Sequence, residues 1–241
     1  MTNSSNNAPV LITGVGKRVG LYLAQQFMAR GVPVIGTFRT EYPEVVELAE
    51  KGADLYCVDF YQDAEVLEFI QAVRSRYPRL RAIIHNASDW LKDDALNNPG
   101  EVMARMMQVH VSVPYQLNLA LQDKLAGDGI GEADIIHLSD YVAAKGSKKH
   151  IAYAASKAAL DNLTLSFAAR FAPGIKVNSI APALVCFNPW DDDAYKQKAL
   201  SKAVLPREGG TEEVLATVDY LMSSRYITGR IMPLDGGRHL K

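Results

Sequence analysis

Short apolar runs alternate along the chain with longer stretches whose apolar residues recur every three or four positions. Runs at residues 10–13, 32–38, 53–58, 80–85, 134–139, 175–180 and 230–234 have the length and composition of strands. Val19, Leu23 and Phe27 form one helical stripe that Gly31 ends, and Val66, Ile70 and Val73 form another that stops near Tyr77-Pro78. The Ala-rich stretch 153–171 reads as a long helix closed by Pro173-Gly174. Strands alternating with helices need crossover connections, so the pattern predicts an α/β fold: a doubly wound, seven-stranded parallel sheet flanked by helices.

No repeat or low-complexity linker interrupts residues 9–241, which are expected to form a single domain. Residues 1–8 are polar and rich in Asn and Ser, without the basic start or apolar run of a signal peptide, and read as a disordered tail. The least regular stretch, 182–206, holds Asn188-Pro189-Trp190 and three aspartates. It follows the carboxyl end of a strand, where ligands bind in such sheets, and residues 183–206 are expected to act as a substrate lid.

The length of 241 residues suits one such domain, and 48% apolar with 22% charged residues is ordinary globular composition. A net charge of −1 gives no electrostatic case for nucleic acid or an anionic membrane as partner. No apolar run approaches the roughly 18 residues that cross a bilayer. The two cysteines, Cys57 and Cys186, lie in apolar surroundings at wide spacing, which suggests neither a disulfide framework nor a zinc site. Histidines 85, 137, 150 and 239 show no metal-ligand spacing, so no metal is expected. A soluble protein of a reducing, cytoplasmic compartment is the expectation.

Candidate chemistry begins where the first strand meets the first helix, at Thr13-Gly14-Val15-Gly16-Lys17-Arg18-Val19-Gly20. Gly14 permits a tight turn and Gly20 a close helix-strand approach, in the manner of a Rossmann-type nucleotide site. The helix N-terminus offers free N–H groups and about half a positive charge to a pyrophosphate. Lys17 and Arg18 sit at this positive end, a placement that a polyanion would explain. The second strand ends at Phe38-Arg39-Thr40, where an NAD site would carry a carboxylate; a basic residue there suits the 2′-phosphate of NADP(H). Tyr153 and Lys157, four residues apart, share one helix face, and a nearby ammonium is expected to stabilise the tyrosine's phenolate.

Together these marks resemble the short-chain dehydrogenase/reductases over nearly the whole chain. Thr13-Gly14 with Gly20, Asp59, Asn86-Ala87, Tyr153 with Lys157, Val177-Asn178-Ser179-Ile180-Ala181-Pro182, Thr228-Gly229 and Leu234-Asp235-Gly236-Gly237 carry the resemblance. It implies that Gly14, Lys17, Arg18, Val19, Gly20, Arg39, Thr40, Asp59, Phe60, Asn86, Ala87, Ser88, Tyr153, Lys157 and Pro182 surround an NADPH/NADP+ cofactor. Three departures point further. Arg18 replaces the usual middle glycine, Asp140 stands at the catalytic-serine position, and Trp90 adds an aromatic after strand four. Ser139 is one position out and on a strand would face away from Asp140.

All three departures resemble the pteridine reductases within that family. The resemblance implies catalysis by Tyr153, Lys157 and Asp140, and substrate contacts from Arg18, Trp90, Asp140, Tyr153 and Leu184. The implied reaction is NADPH-dependent reduction of a 7,8-dihydropterin, such as dihydromonapterin or dihydrofolate. An acceptor-only carboxylate suits the N–H donors of a pterin and would repel the developing oxyanion of a ketone. Two alternatives stay open: a carbonyl reductase of the same family acting on a 3-oxoacyl thioester or sugar, and a catalytically inactive NADP(H)-sensing module. The alternative for Trp90 is a core or interface aromatic. His110 stands where the family usually has Asn, either as a proton relay or as a satisfied buried histidine. Family resemblance also implies a homotetramer or dimer built on helices around 115–125 and 153–171.

Overall fold

The computed structural model describes residues 8–93, 98–125 and 129–241. Seven strands form one sheet: β1 (Val10–Ile12), β2 (Val34–Phe38), β3 (Asp54–Cys57), β4 (Ala82–His85), β5 (Ala133–Leu138), β6 (Ile175–Pro182) and β7 (Ile231–Leu234). Every pairing is parallel, and the order is β3-β2-β1-β4-β5-β6-β7. The expected doubly wound sheet is therefore present, with its switch point between β1 and β4, where the order reverses. Of the expected tail, residues 1–7 lie outside the described residues.

The strands divide their side chains between two cores because successive Cβ atoms point to opposite faces. Leu11, Ile35, Ile83, Ile135 and Val177 pack on one face against α3 (Asp63–Arg76), α5 (Val113–Leu125) and α7 (Ile151–Phe171). Val10, Ile12, Val34, Ile84 and Ile136 pack on the other against α1 (Arg18–Ala29) and α9 (Thr211–Ser223). Both faces are covered, which explains why the strands read as unbroken apolar runs.

Several helices carry no signal in the expected pattern: α2 (Pro43–Glu50), α4 (Pro99–Met107), the single turn α6 (Val142–Lys145), α8 (Asp193–Leu200) and α9. Residues 183–206, expected to act as a lid, are thus partly helical. Asp192 caps α8 by accepting the Tyr195 N–H at 2.7 Å, but Ala199 is the helix's single buried residue, so no apolar period marks it. The expected apolar setting of Cys57 is not found: β3 is an edge strand, and Cys57 is exposed. Among the described residues no helix is long and apolar enough to cross a membrane.

Two buried polar clusters fix the middle of the sheet. At its amino end Asp134, fully buried, accepts from Lys176 Nζ and from Arg81, each at 2.6 Å, tying together β4, β5 and β6. Toward the carboxyl end, the register pairs His85 with His137 on adjacent strands. Thr164 donates to the Leu160 carbonyl (3.1 Å), so it accepts from His137 Nδ1–H (2.8 Å). His137 Nε2 then accepts from the Asn118 amide (3.2 Å), whose oxygen accepts from His85 Nε2–H (2.7 Å). Burial lowers His85 to about 4 and His137 well below its ordinary value, so both rings are neutral. Both histidines bind protons more readily unfolded than folded, so this chain's contribution is complete above pH ~6.5 and fades as pH falls toward 4. Replacing Asn118 by Leu orphans a donor and an acceptor. Thermal melts at pH 7 should show a loss of about 1–3 kcal/mol for each, with unchanged stability contradicting the assigned chain.

Candidate active site

The turn between β1 and α1, expected to bind a nucleotide, is built by backbone approach. A Cβ on Gly20 would fall on the Gly14 carbonyl and the Asn86 amide, so only glycine allows α1 to lie this close to β1. Asn86 donates to the Thr13 and Gly14 carbonyls (3.1 and 2.9 Å), and Thr13 Oγ1 accepts from the Asn86 and Ala87 N–H groups, both at 3.0 Å. These bonds lock the β1 turn to the end of β4. The N-cap of α1, Lys17, provides no side-chain cap, and its first turn contains no acidic residue. Its leading N–H groups are therefore available to an anion, as a dinucleotide pyrophosphate requires.

Arg18 departs furthest from sequence expectation. It adopts φ 54°, a left-handed conformation that costs a side-chain-bearing residue roughly 1–2 kcal/mol. Its guanidinium donates to Cys186 Sγ (3.3 Å), the Cys186 carbonyl (2.8 Å) and Asn188 Oδ1 (3.2 Å). The strained turn is thereby latched to the segment after β6. Nearby, Lys17 lies 5.7 Å from the Tyr42 ring centroid.

At the end of β2, Arg39 and Thr40 are exposed. Arg39 reaches Asp89 at 3.6 Å and lies 5.7 Å from the Tyr61 ring. Asp89 also accepts from the Tyr61 hydroxyl (2.8 Å) and the Trp90 N–H (2.8 Å). Burial works to raise the Asp89 carboxyl, yet these bonds and the charges of Arg39 and Arg105 leave it below its ordinary value. Asp59 caps the next turn by accepting from the Tyr61 N–H (3.1 Å). Phe60 is a core residue, so its side chain is turned away from this rim. Val19 packs on the opposite core.

Beyond the sheet's carboxyl end, α7 presents Tyr153 and Lys157 on one face, both buried. Tyr153 donates to Asp140 Oδ2 at 2.8 Å, and Asp140 Oδ1 accepts from the Val142 N–H at 2.9 Å. Lys157 Nζ donates to the Leu138 carbonyl (2.7 Å) and lies 5.6 Å from the Tyr153 ring centroid. Ser139 faces away, its hydroxyl directed to the Lys157 carbonyl at 3.4 Å.

The expected lowering of the Tyr153 pKa is not found. Burial first, then the charge and hydrogen bond of Asp140, hold the phenol well above its ordinary value. Burial also raises Asp140, against the Val142 N–H, Tyr153, Lys157 and Arg238, and lowers Lys157 to about 8. Tyr153 is a protonated phenol whose hydrogen is already directed at a carboxylate.

His110 sits in a π-helical turn, Gln108–Ser112, between α4 and α5. Ser156 donates to the Tyr153 carbonyl (2.7 Å), so it accepts from His110 Nδ1–H (2.8 Å). His110 Nε2 therefore accepts from the Ser88 hydroxyl (2.8 Å). Burial, aided by the Lys157 charge, lowers His110 to about 2, so the ring is a neutral, fully satisfied link that orients Ser88 beside Tyr153.

Trp90 is 57% exposed, which excludes a core role within this chain. It stacks on His150 with centroids 4.0 Å apart and planes at 22°, three residues before Tyr153 on the lead into α7. Asp93 accepts from the Ile151 and Ala152 N–H groups, joining the same loop to the helix start. Pro182 accepts from the Tyr141 N–H (3.0 Å), and the Leu184 carbonyl from the Gly209 N–H (2.9 Å).

The structure thus gathers Gly14, Gly20, Asn86 and Ala87 at one end, and Ser88, Asp140, Tyr153 and Lys157 at the other. Sequence reading missed His150, Ser156, Asp89 and the Cys186–Asn188 anchor of Arg18. None shows a local motif, because each is defined by a partner far away in the chain.

Residues 14–239 match the family described as enoyl-(acyl carrier protein) reductase. The chain is 52% identical over 233 residues to a dihydromonapterin reductase of Klebsiella pneumoniae, covering 97% of each chain. It is 50% identical over 233 residues to the Escherichia coli protein of the same name, again covering 97% of each. The crystal structure of FolM alternative dihydrofolate reductase 1 from Brucella suis, in complex with NADP, matches with a TM-score of 0.87 and 27% identity over 98% of this chain and 97% of that one. Taken with the Gly-turn, Asn86 and the Tyr153/Lys157 face, these matches make the chain a member of the short-chain dehydrogenase/reductase family.

Proposed function

We propose that this chain catalyses the NADPH-dependent reduction of a 7,8-dihydropterin, dihydromonapterin or dihydrofolate, to its tetrahydro form. The observation that carries the reading is the 2.8 Å hydrogen bond from Tyr153 to Asp140 at the position of the family's serine. A phenol tied to a carboxylate suits a substrate with ring N–H and amino groups, which a carboxylate can accept. A ketone offers no such donor. The relatives named dihydromonapterin reductase, and the NADP-bound FolM structure, support the same chemistry.

Bound NADPH supplies the hydride that reduces the pterin's C=N bond at C6. The chain's residues do the rest. Gly14, Val19, Gly20 and the uncapped first turn of α1 receive the pyrophosphate, with Lys17 and Arg18 beside it; Arg39 and Thr40 receive the 2′-phosphate. Asp59, Phe60 (through its backbone), Asn86, Ala87, Ser88 and Pro182 complete the cofactor's surroundings. Tyr153 holds the proton destined for N5, and Asp140 orients that phenol and accepts from the substrate. Lys157 holds the nicotinamide ribose and offsets the charge of Asp140. Trp90, already an exposed stacking platform, covers the flat heterocycle, with aromatic stacking contributing about 0.5–1.5 kcal/mol beyond burial.

The segment 183–206, latched through Arg18, serves as the substrate lid, with Leu184 against the substrate. The protein acts as a cytoplasmic homo-oligomer, a tetramer or dimer, whose contacts use the exposed apolar residues Tyr115 on α5 and Leu165 on α7. Its free cysteines fit a reducing compartment.

Purified protein with NADPH should consume dihydromonapterin and dihydrofolate, followed as absorbance loss at ~340 nm, and leave acetoacetyl thioesters untouched. Preferential turnover of the thioester would remove the pterin reading. Tyr153→Phe should lower turnover by about 10²–10⁴-fold, and a variant retaining full rate would take Tyr153 out of proton delivery. Arg39→Glu should lower kcat/KM for NADPH about ten- to hundredfold while sparing NADH; an equal loss with both cofactors would contradict the assignment.

The pH profile follows from Lys157. Burial lowers it to about 8, so the ammonium is present below that pH and lost above it. Activity should fall as pH rises through about 8, and Lys157→Arg, which stays charged, should abolish that limb in whatever activity remains. A limb that persists in the arginine variant would assign it to another group.

A further inference from the structure

The loop that carries Trp90 is fastened to the lead into α7 by contacts centred on His150. The Asp93 N–H donates to the Lys149 carbonyl (3.1 Å), and the Asp93 carboxylate accepts from the Ile151 and Ala152 N–H groups. His150 Nδ1 lies 2.8 Å from the Leu91 carbonyl; a carbonyl only accepts, so this nitrogen carries the proton and donates it. Leu91 turns inward, packing against the cluster of Val102, Met106, Ala152 and Tyr153. Its neighbour Trp90 turns outward, and its ring lies on His150 with centroids 4.0 Å apart and planes at 22°.

The two stacked rings differ in how firmly they are held. His150 is 8% exposed. Its N–H donates to Ser147 Oγ (3.1 Å), and its carbonyl accepts from the Ala154 N–H (3.0 Å) as the first rung of α7. With Nδ1 bound to Leu91 as well, the imidazole is fixed to the helix start. Trp90 is 57% exposed, and its backbone N–H donates to Asp89 Oδ1 (2.8 Å). Its indole therefore has one face on a rigid ring and the remainder largely in the open. A side chain so placed would sample several rotamers if it were unsupported, and ordering it on binding would weaken affinity.

We propose that His150 is a positioning residue for the substrate: its imidazole backs the Trp90 indole and sets the plane on which the pterin stacks. This rests on the dihydropterin reading above and deepens it, because it makes the platform a two-ring unit. His150 precedes Tyr153 by three residues, so the stacking plane and the phenol are referenced to one turn of α7. A heterocycle on the free face of Trp90 completes a stack of three rings, with the imidazole outermost. The stacked ring, rather than the bond to Leu91, does the positioning.

Two substitutions separate ring from hydrogen bond. His150→Gln keeps an N–H donor for Leu91 and loses the ring; His150→Phe keeps a ring and loses the donor. At saturating NADPH, His150→Gln should raise KM for dihydromonapterin about two- to tenfold, with kcat and the KM for NADPH little changed. His150→Phe should keep the KM of the unaltered protein. Trp90→Leu should raise the same KM, and adding His150→Gln to it should have little further effect, because the histidine acts through the indole. The chain has two tryptophans, so Trp190→Phe leaves Trp90 as the sole emitter. In that background the anisotropy of Trp90 should decay faster with His150→Gln and not with His150→Phe. An unaltered KM in His150→Gln, a phenylalanine variant as impaired as the glutamine one, or additive losses with Trp90→Leu overturns the proposal. So does a joint loss of kcat and NADPH affinity, which marks a merely structural role. Should His150→Gln not fold, a raised KM or a faster Trp90 decay in His150→Phe overturns it, and unaltered values sustain it. Absence of dihydropterin turnover by the unaltered protein, or a Trp90→Leu variant with unchanged KM, overturns the dihydropterin reading instead.

Discussion

A buried phenol and ammonium meet a half-buried carboxylate at the carboxyl end of the sheet, and the rest of the molecule is arranged around the cost of keeping them there. Each would be better solvated outside. They persist because each is held: Tyr153 by Asp140, Asp140 by the Val142 N–H, and Lys157 by the Leu138 carbonyl. The ends of β5 and α7 must therefore keep a fixed separation. The β5–β6 pairing and the packing of α7 on β6 supply that rigidity. Neutral His110, wired through Ser156 to the Tyr153 carbonyl, carries the order onward to Ser88 at the mouth of the cleft.

The same need for fixed positions explains the departure from a simpler nucleotide turn. Glycine in place of Arg18 would relieve the left-handed strain at once. The arginine is retained in that conformation by three hydrogen bonds to Cys186 and Asn188, which couple the turn between β1 and α1 to the segment beyond β6. Strain of this kind persists only where the surroundings over-determine it, and such positions cluster at clamps and switch regions. The turn after β1 and the segment after β6 thereby share one side chain.

The sheet, the Gly14–Gly20 turn and the Tyr153/Lys157 face were legible in the sequence because each follows from a local period or spacing. Strand ends shifted by a residue or two, and α2, α4, α6, α8 and α9 went unread. In α8 the sequence Asp193–Leu200 buries a single residue, so the tertiary fold rather than an apolar stripe defines it. Cys57 read as apolar because its neighbours are, but the edge position of β3 exposes it. The expected phenolate stabilisation of Tyr153 by Lys157 failed for a reason no spacing reveals: burial and Asp140 outweigh the ammonium. Trp90 and Asp140 were legible as anomalies, whereas the His150 ring under Trp90 and the Asp89 carboxylate against Arg39 became visible only once distant segments were brought together.

Tyr153 keeps its proton because Asp140 and a dry environment hold it, and the proposed chemistry depends on that coupling. The direct measurement is the titration of Tyr153 by carbon NMR of ring-labelled tyrosine, with the Tyr153→Phe spectrum identifying its signal. The Tyr153 resonance should titrate well above the ordinary tyrosine range of about 10, and the Asp140→Asn substitution should bring it down. A resonance that titrates at or below that range, and does not move in the Asp140→Asn variant, would contradict the coupling.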